Sequence, residues 1–555
     1  MKGENHGGKE IYEKYRKLSS KFKVKLNELT YRQYLALSYI VSKISSENKY
    51  PSKDEIKKVI GFTTDRMLYI TLKALERKGF IKFNGLDSHP ICQITEITQQ
   101  LREVLEDRLL LIKNFTTYLN VRNKVKDVRI VEKLSAPQLP LLEGLELVRY
   151  LNNEKHVVHR WYTYLEDFPP GLVWKYIESF RVSREHKILD PFVGSGTTCV
   201  VAKLRGIDNI GVDINPVASF VTRVKTSFDR IPIGEFKKEA ETILNEISQL
   251  STVLKNCRLA TKVLERMPKM ELYQWLKPIT QNYVAYARER VDEVENQSVR
   301  EVLELALIES ALESSNATFC PSTTFYPFRR KPSFPQAFKE EIQKMYEDLF
   351  LLSRAGAEWG NSTVLVEDSK EMSRFIDSND IDFIFTSPPY PNDLEYTRQT
   401  KLELYLLGFI ESEKDIQQIK RKMIKSSTKL IYRESNSDKY VEKYESIQLI
   451  VSKLEKAFSD KNWGWNYPKM VAEYFGDLHI VLSELREVLK KDGIACFVVG
   501  DQTYKGILIP VGKILCEIAA DLGFKTRLEL FRVRRSTLHD IPLKEEVVIL
   551  EKEEG

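Results

Sequence analysis

The sequence predicts an α/β fold: a doubly wound, mostly parallel sheet with one antiparallel strand, carried by residues 151–555 of the 555-residue chain. Three observations predict it. HKILDPFVGSGTTCVVAKLRGIDNIGVDINPVA (186–218) reads as strand, Gly-rich turn, helix and strand, the first βαβ unit of such a sheet. The apolar run DFIFT (382–386) has the length and composition of a buried strand and delivers Ser387-Pro388-Pro389-Tyr390. YFGDLHIVLSELREVLKKDGIACFVVGD (474–501) reads as a helix and a further strand, and TRLELFRVRRS and EEVVILEKE supply the closing strands.

In the first unit, Gly194 and Gly196 let the backbone pass close beneath a ligand where a side chain would collide. Asp213 ends the second strand, 19 residues after Gly194. That is the place for a carboxylate accepting hydrogen bonds from both hydroxyls of a ribose. Two rival nucleotide sites fit less well. A P-loop ends Gly-Lys-[Ser/Thr], and here the loop ends Gly-Thr-Thr; a nicotinamide site prefers a third glycine, and Cys199 holds that place. A nucleoside without a pyrophosphate needs neither.

DPFVGSGTT is similar to motif I of the amino-methyltransferases that act on DNA, in a Rossmann-like domain. The resemblance implies S-adenosyl-L-methionine as cofactor, held through Asp190, Pro191, Phe192, Gly194, Ser195, Gly196 and Thr197, with Asp213 as the ribose-binding motif II. HRWYTYLEDFPPGLVWKYI (159–177) looks like motif X, in which Phe168 would pack on the methionine part, and TVLVEDS (363–369) looks like motif III, in which Asp368 would bind the adenine amine. Ser387, Pro388, Pro389 and Tyr390 match motif IV. The motif order X, I, IV is the one called gamma, and the resemblance spans about residues 155–555.

The chemistry explains motif IV. An exocyclic amine delocalises its lone pair into the base, so it is a poor nucleophile towards a sulfonium methyl. An acceptor pair, here the Ser387 hydroxyl and the Pro388 carbonyl, would hold both N–H groups and favour tetrahedral nitrogen. The prolines keep that carbonyl fixed. The base must leave the duplex to arrive there, and Tyr390 would stack on it. Relatives with Ser in the first position mostly methylate cytosine at N(4); those with Asp or Asn mostly methylate adenine at N(6), which stays open as the alternative.

Residues 1–97 read as a separate basic domain and 98–150 as a helical linker. LTYRQYLALSYIVSKI is amphipathic through Leu35, Leu37, Ile40, Val41 and Ile44, and Ser52 with Glu55 forms a capping-box pattern. Thr63 or Thr64 caps a third helix, and FIKFNG and ICQITEI alternate as a hairpin around Asn84-Gly85. This order resembles a winged helix. On its third helix Leu68, Leu72 and Leu75 would face the core, and Arg66, Tyr69, Lys73, Arg77 and Lys78 would meet DNA. Winged helices also dock proteins, so both uses stay open. Residues 1–135 hold 27 Lys and Arg against 16 Asp and Glu, a surplus of +11, while the remainder carries −5. An anionic partner for the N-terminal part follows.

Two insertions interrupt the larger domain, a helical one at about 225–360 and another at about 410–465. STTFYPFRRKPSFPQAF (322–338) interleaves Arg329, Arg330 and Lys331 with Phe325, Tyr326, Phe328 and Phe334. It reads equally as a nucleotide contact and as a packed Pro-rich loop. KRKMIKSSTKLIYRESNSDK (420–439), with Arg421, Lys422 and Lys425, is basic and Ser/Thr-rich. It resembles the flexible stretch that follows motif IV in relatives, which implies closure over DNA, and either insertion could recognise the target sequence.

Composition excludes other classes. Hydrophobic residues at 42% and charged residues at 30% are ordinary for a globular chain. No apolar run approaches the ~18 residues that span a bilayer, and the N-terminus has no apolar core of a signal sequence, so a cytoplasmic protein is expected. The six cysteines form no Cys-x-x-Cys pair and the histidines no ligand spacing, so no metal is expected. The expected partner is double-stranded DNA, with a cognate restriction endonuclease as a possible companion and no membrane. A tRNA guanine amino-methyltransferase and an inactive DNA-binding regulator are the remaining alternatives.

Overall fold

The computed structural model describes residues 36–37, 39–41, 43–44, 50–60, 65–83, 91–95, 156–164, 167–250, 264, 266–319, 323–327, 330–355, 357–459, 466–536 and 541–553. The chain divides into two compact units, Met1–Gly144 and Leu145–Gly555.

In the first unit, Leu37, Ile40 and Val41 are buried on a helical segment. Helix Lys53–Ile60 begins at a reciprocal cap: Ser52 N–H donates to Glu55 Oε2 at 2.7 Å and Glu55 N–H to Ser52 Oγ at 3.3 Å. Helix Asp65–Arg77 buries Leu68, Leu72 and Leu75, its core stripe at helical spacing. Strand Ile81–Phe83 pairs antiparallel with Ile91–Ile94. Leu35, the Thr63 or Thr64 cap, the Asn84-Gly85 turn and the linker 98–150 lie outside the described residues.

The second unit is built on a seven-stranded sheet. Its strands are β1 (Lys187–Asp190), β2 (Asp208–Val212), β3 (Ser362–Leu365), β4 (Ile381–Thr386), β5 (Leu489–Gly500), β6 (Phe524–Arg535) and β7 (Pro542–Lys552), in the spatial order β3-β2-β1-β4-β5-β7-β6. Strands β1 to β5 run parallel, and β7 runs antiparallel to both of its neighbours. The sheet is therefore the mostly parallel, doubly wound one that the sequence predicts. Helices cover it because β1 and β4 expose apolar residues on both faces: Ile188, Leu189, Phe383, Ile384 and Phe385 are all buried. The helix Tyr467–Val488 packs Leu478, Leu482 and Leu485 into the cluster that holds Leu189, Ile384 and Phe497.

Strand order reverses between β1 and β4, the topological switch point where the loops leaving two adjacent carboxyl ends diverge and open a crevice. The insertion between β2 and β3 is helical, with Ile233–Leu250, Pro278–Asp292, Gln297–Ser314 and Phe334–Ser353 as its principal helices.

Candidate active site

The loop after β1 turns at Gly194 (φ +52°) and Gly196 (φ +88°), a backbone region that glycine enters without steric cost. A Cβ on Gly196 would also stand 2.8 Å from Thr222 Oγ1, so this position excludes any side chain. The loop is tied down from beneath. Asp190, 1% exposed, accepts the Phe192 N–H at 3.1 Å and the Thr386 hydroxyl at 2.6 Å, and Thr198 Oγ1 donates to Phe385 O at 3.0 Å. These bonds lock the loop after β1 to the end of β4. Burial pushes the Asp190 carboxyl up to about 7.

Asp213 leaves β2 with its carboxylate turned to the same loop. It accepts Gly194 N–H at 3.1 Å and Asn215 N–H at 2.8 Å, which leaves lone pairs for further donors. Burial raises its pKa to about 6, against the lowering effect of those two N–H groups. Asn215 then caps the helix Pro216–Lys225, accepting the Val217 N–H at 3.1 Å.

Phe168 lines the crevice two residues before helix Pro170–Ser179, which Pro170 opens at the first position, where its missing N–H costs nothing. Its ring meets Phe385 edge-on at 5.4 Å. The neighbouring Asp167 accepts the Ser195 hydroxyl at 2.6 Å. Asp368, three residues beyond β3, caps a 3-10 turn by accepting Lys370 N–H at 3.0 Å.

Ser387 to Tyr390 follow β4 directly. The Ser387 hydroxyl donates to Val498 O on β5 at 3.1 Å. The Tyr390 hydroxyl is its second neighbour, at 3.5 Å; a proton directed to the nearer, acceptor-only carbonyl leaves lone-pair capacity for a donor. Beyond Tyr390, Asp393 holds the loop in place at φ +62°. Its carboxylate accepts Ser427 Oγ at 2.8 Å, Thr428 N–H at 2.9 Å and the Tyr467 hydroxyl at 3.0 Å.

Residues from each of these parts line one cleft. Phe168, Phe192, Gly194, Thr197, Asp213 and Asp368 share it with Ser387, Pro388, Pro389 and Tyr390. It encloses about 860 Å³ of empty space, its open mouth included. The Gly194–Asp213 wall and the Ser387–Tyr390 wall, 174 residues apart from Asp213 to Ser387 in the sequence, adjoin in one cleft.

With this geometry in view, a profile of the DNA methylase family matches residues 34–220 and 381–537, more than half of the chain. The chain belongs to the DNA methylase family. Its similarity extends to Type II methyltransferase M.AvaI of Nostoc, 28% identical over 74% of this chain and 87% of that one. Type II methyltransferase M.BsoBI of Geobacillus stearothermophilus is 26% identical over 68% and 81%, and M.MvaI of Kocuria varians 23% over 71% and 87%. The family shares an enzymatic activity, methyl transfer to DNA.

Several expected site residues do not face the cleft. Asp190, Pro191, Ser195 and Gly196 are buried beneath it, shaping the loop rather than lining it. Of the residues expected to meet DNA, Lys425 is 5% exposed, its ammonium bonded at 2.9 Å to both Arg421 O and Met423 O, so it is a buried strut. Lys331 donates to Ala317 O within a small hairpin, Phe325 packs on Trp275 and Phe334 is buried, so these three belong to the packed-loop reading. Arg330 is exposed, and Arg329 lies outside the described residues. Arg421 pairs with Glu434 and stands 4.7 Å over Tyr432. Lys422 lines the cleft mouth. In the N-terminal unit Arg66, Tyr69 and Arg77 are exposed, Lys78 is half-buried, and Lys73 pairs with Glu76 at 2.6 Å. Tyr164, Asp167, Asn215 and Tyr396 line the cleft without having been singled out. Only Asn215, an Asn directly before a Pro that starts a helix, carried a usable signal.

Proposed function

We propose that this protein transfers a methyl group from S-adenosyl-L-methionine to the exocyclic amine of a base in duplex DNA, with cytosine N(4) as the acceptor. The observation that carries this is the shared cleft, with the glycine loop and Asp213 on one side and Ser387 to Tyr390 on the other. The lining fits the cofactor's chemistry: three carboxylates (Asp167, Asp213, Asp368) favour a cationic ligand, Asp213 suits the ribose, and the Phe168 and Phe192 rings suit its apolar parts. When bound, S-adenosylmethionine would supply an electrophilic methyl group.

The chain's own residues do the rest. The Ser387 hydroxyl, its proton held by Val498 O, acts as an acceptor towards one amine N–H, and the Pro388 carbonyl accepts the other. Tyr390 stacks on a base rotated out of the duplex, at ~1–3 kcal/mol against the few kcal/mol that unstacking costs. A hydroxyl is a weaker proton acceptor than a carboxylate, so orientation supplies most of the acceleration. The hydroxyl at position 387 favours cytosine over the adenine N(6) alternative.

The names of the relatives favour a role in restriction-modification, with a cognate restriction endonuclease as companion. Exposed Arg66, Tyr69 and Arg77 support a DNA contact by the N-terminal unit; removal of residues 1–135 should then flatten the salt dependence of DNA binding. Transfer of label from the cofactor to duplex DNA, beside tRNA, tests the main reading. Duplex DNA should be labelled and tRNA not. Ser387→Ala should slow transfer by about 10- to 100-fold, the worth of one hydrogen bond in the transition state, with DNA affinity unchanged. Equal labelling of tRNA, or full activity of the variant, contradicts the proposal.

A further inference from the structure

Strands β6 and β7 carry a feature that the site has not used. β7 is antiparallel, so its first residues and the last residues of β6 lie at the carboxyl edge of the sheet, beside the cleft. Strand β5 ends at Gly500, opposite Glu545, and its last partner is Asp501, whose N–H meets Lys544 O at 2.8 Å. Past that point the two strands have only each other. Val533 pairs with Lys544 and Arg535 with Pro542, and Ser536 N–H continues the ladder to Ile541 O at 2.9 Å.

Exposure confirms that this ribbon has left the sheet. Arg532, Val533 and Arg534 are all exposed in succession, where a covered strand would alternate. A valine left 53% exposed between two arginines is a poor surface for a strand that only closes a sheet. Both guanidinium groups pair with one carboxylate, Glu545, with Arg534 Nε 2.7 Å from it. Two cations share one anion, while Lys544 has its own partner in Glu546 at 4.0 Å. Glu545 itself is 3% exposed and fixed in position. A Cβ on Gly500 would stand 3.4 Å from Glu545 Cγ on one side and 3.0 Å from Tyr390 Cε2 on the other. Glycine thus lets the carboxylate anchoring both arginines and the ring of Tyr390 close on the same backbone.

We propose that this two-stranded ribbon is a second contact to the substrate duplex, in which Arg532 and Arg534 grip backbone phosphates flanking the base that enters the Ser387–Tyr390 cradle. The proposal rests on the reading of this protein as a methylase of duplex DNA. A two-stranded ribbon has dimensions that a DNA groove admits, and guanidinium groups match phosphate geometry. Fixing them through Glu545 places the grip in register with Tyr390.

The test is binding of full-length protein to a labelled linear plasmid duplex across a salt series. Arg532→Gln with Arg534→Gln keeps donors for Glu545 while removing both charges. Val533→Glu adds a negative charge at an exposed position and leaves the Glu545 pairs intact, so it decides the matter should the double variant fold poorly. The expected result is about a tenfold loss of DNA affinity for each, and for the double variant a log–log salt slope shallower by about 1–2, at roughly 0.9 per phosphate contact. Cofactor affinity should not change. Wild-type affinity and slope in folded variants would overturn the ribbon alone. A wild-type protein that binds no duplex would overturn both readings, and one that binds through the ribbon but transfers no methyl would overturn only the methylase reading.

Discussion

The Ser387 hydroxyl has one proton, and its nearer acceptor is Val498 O, at 3.1 Å against 3.5 Å for the Tyr390 hydroxyl. That single direction turns a side chain that can donate or accept into one that accepts, which is what an amine with two N–H groups requires. Asp213 shows the same economy on the cofactor side, since two backbone N–H groups orient its carboxylate and leave it capacity for a ribose. Its pKa, pushed up to about 6 by burial, has a consequence. Above pH 6 the group is ionised and accepts charge-assisted hydrogen bonds; below it the proton removes that advantage. Cofactor affinity should therefore fall as pH drops through about 6, and Asp213→Asn should bind more weakly at pH 8 and lose that pH dependence. Titration of the cofactor by calorimetry at pH 5.5 and pH 8 checks this; an acid-side loss that persists in the variant assigns it elsewhere.

At the scale of elements, the sheet was legible because its signals are local. An apolar run, a glycine turn and an amphipathic helix each declare themselves within ten residues, and β1, β2 and β4 appear where those signals lie. The segment 420–439 was not legible. Its lysines, serines and threonines suggest a flexible segment over DNA, yet Lys425, Ser426 and Ser427 are buried. The reason is distant in sequence: Asp477 accepts Lys425 N–H at 3.0 Å, and Asp393 accepts Ser427 Oγ at 2.8 Å. Such partners become visible only when the fold brings them together. Asp393 therefore joins the loop after Tyr390 to this segment and to the helix Tyr467–Val488. Asp393→Ala, which removes these acceptors at a residue with positive φ, should cost about 2–4 kcal/mol. Thermal unfolding should shift down and methyl transfer slow more than cofactor binding weakens. An unshifted melt would show that the latch does not hold the loop.

Across the whole second unit, the helical insertion and the short helix Lys401–Leu406 after β4 carry buried carboxyls that no motif announces. Glu403 is 1% exposed and receives the Tyr162 hydroxyl at 2.9 Å; burial pushes it up to about 8. Glu309 and Glu341 are raised in the same direction, to about 7 and about 8, also by burial. A carboxyl raised above its unfolded value of 4.5 leaves the fold unpenalised below that pH. As pH rises the unfolded chain ionises first, so stability falls by roughly 1.4 kcal/mol per pH unit for each such group until the folded pKa is passed. The unit should be less stable at pH 8 than at pH 5. Glu403→Gln, which keeps an acceptor for Tyr162, should shrink that difference in urea unfolding; a pH dependence identical to wild type would contradict it.

The most direct measurement is mass spectrometry of nucleosides from duplex DNA incubated with the protein and S-adenosylmethionine. Cleft geometry and the Ser387 acceptor predict N(4)-methylcytosine. Unmodified DNA, or a methyl group on a ring carbon in place of an exocyclic nitrogen, would contradict the account.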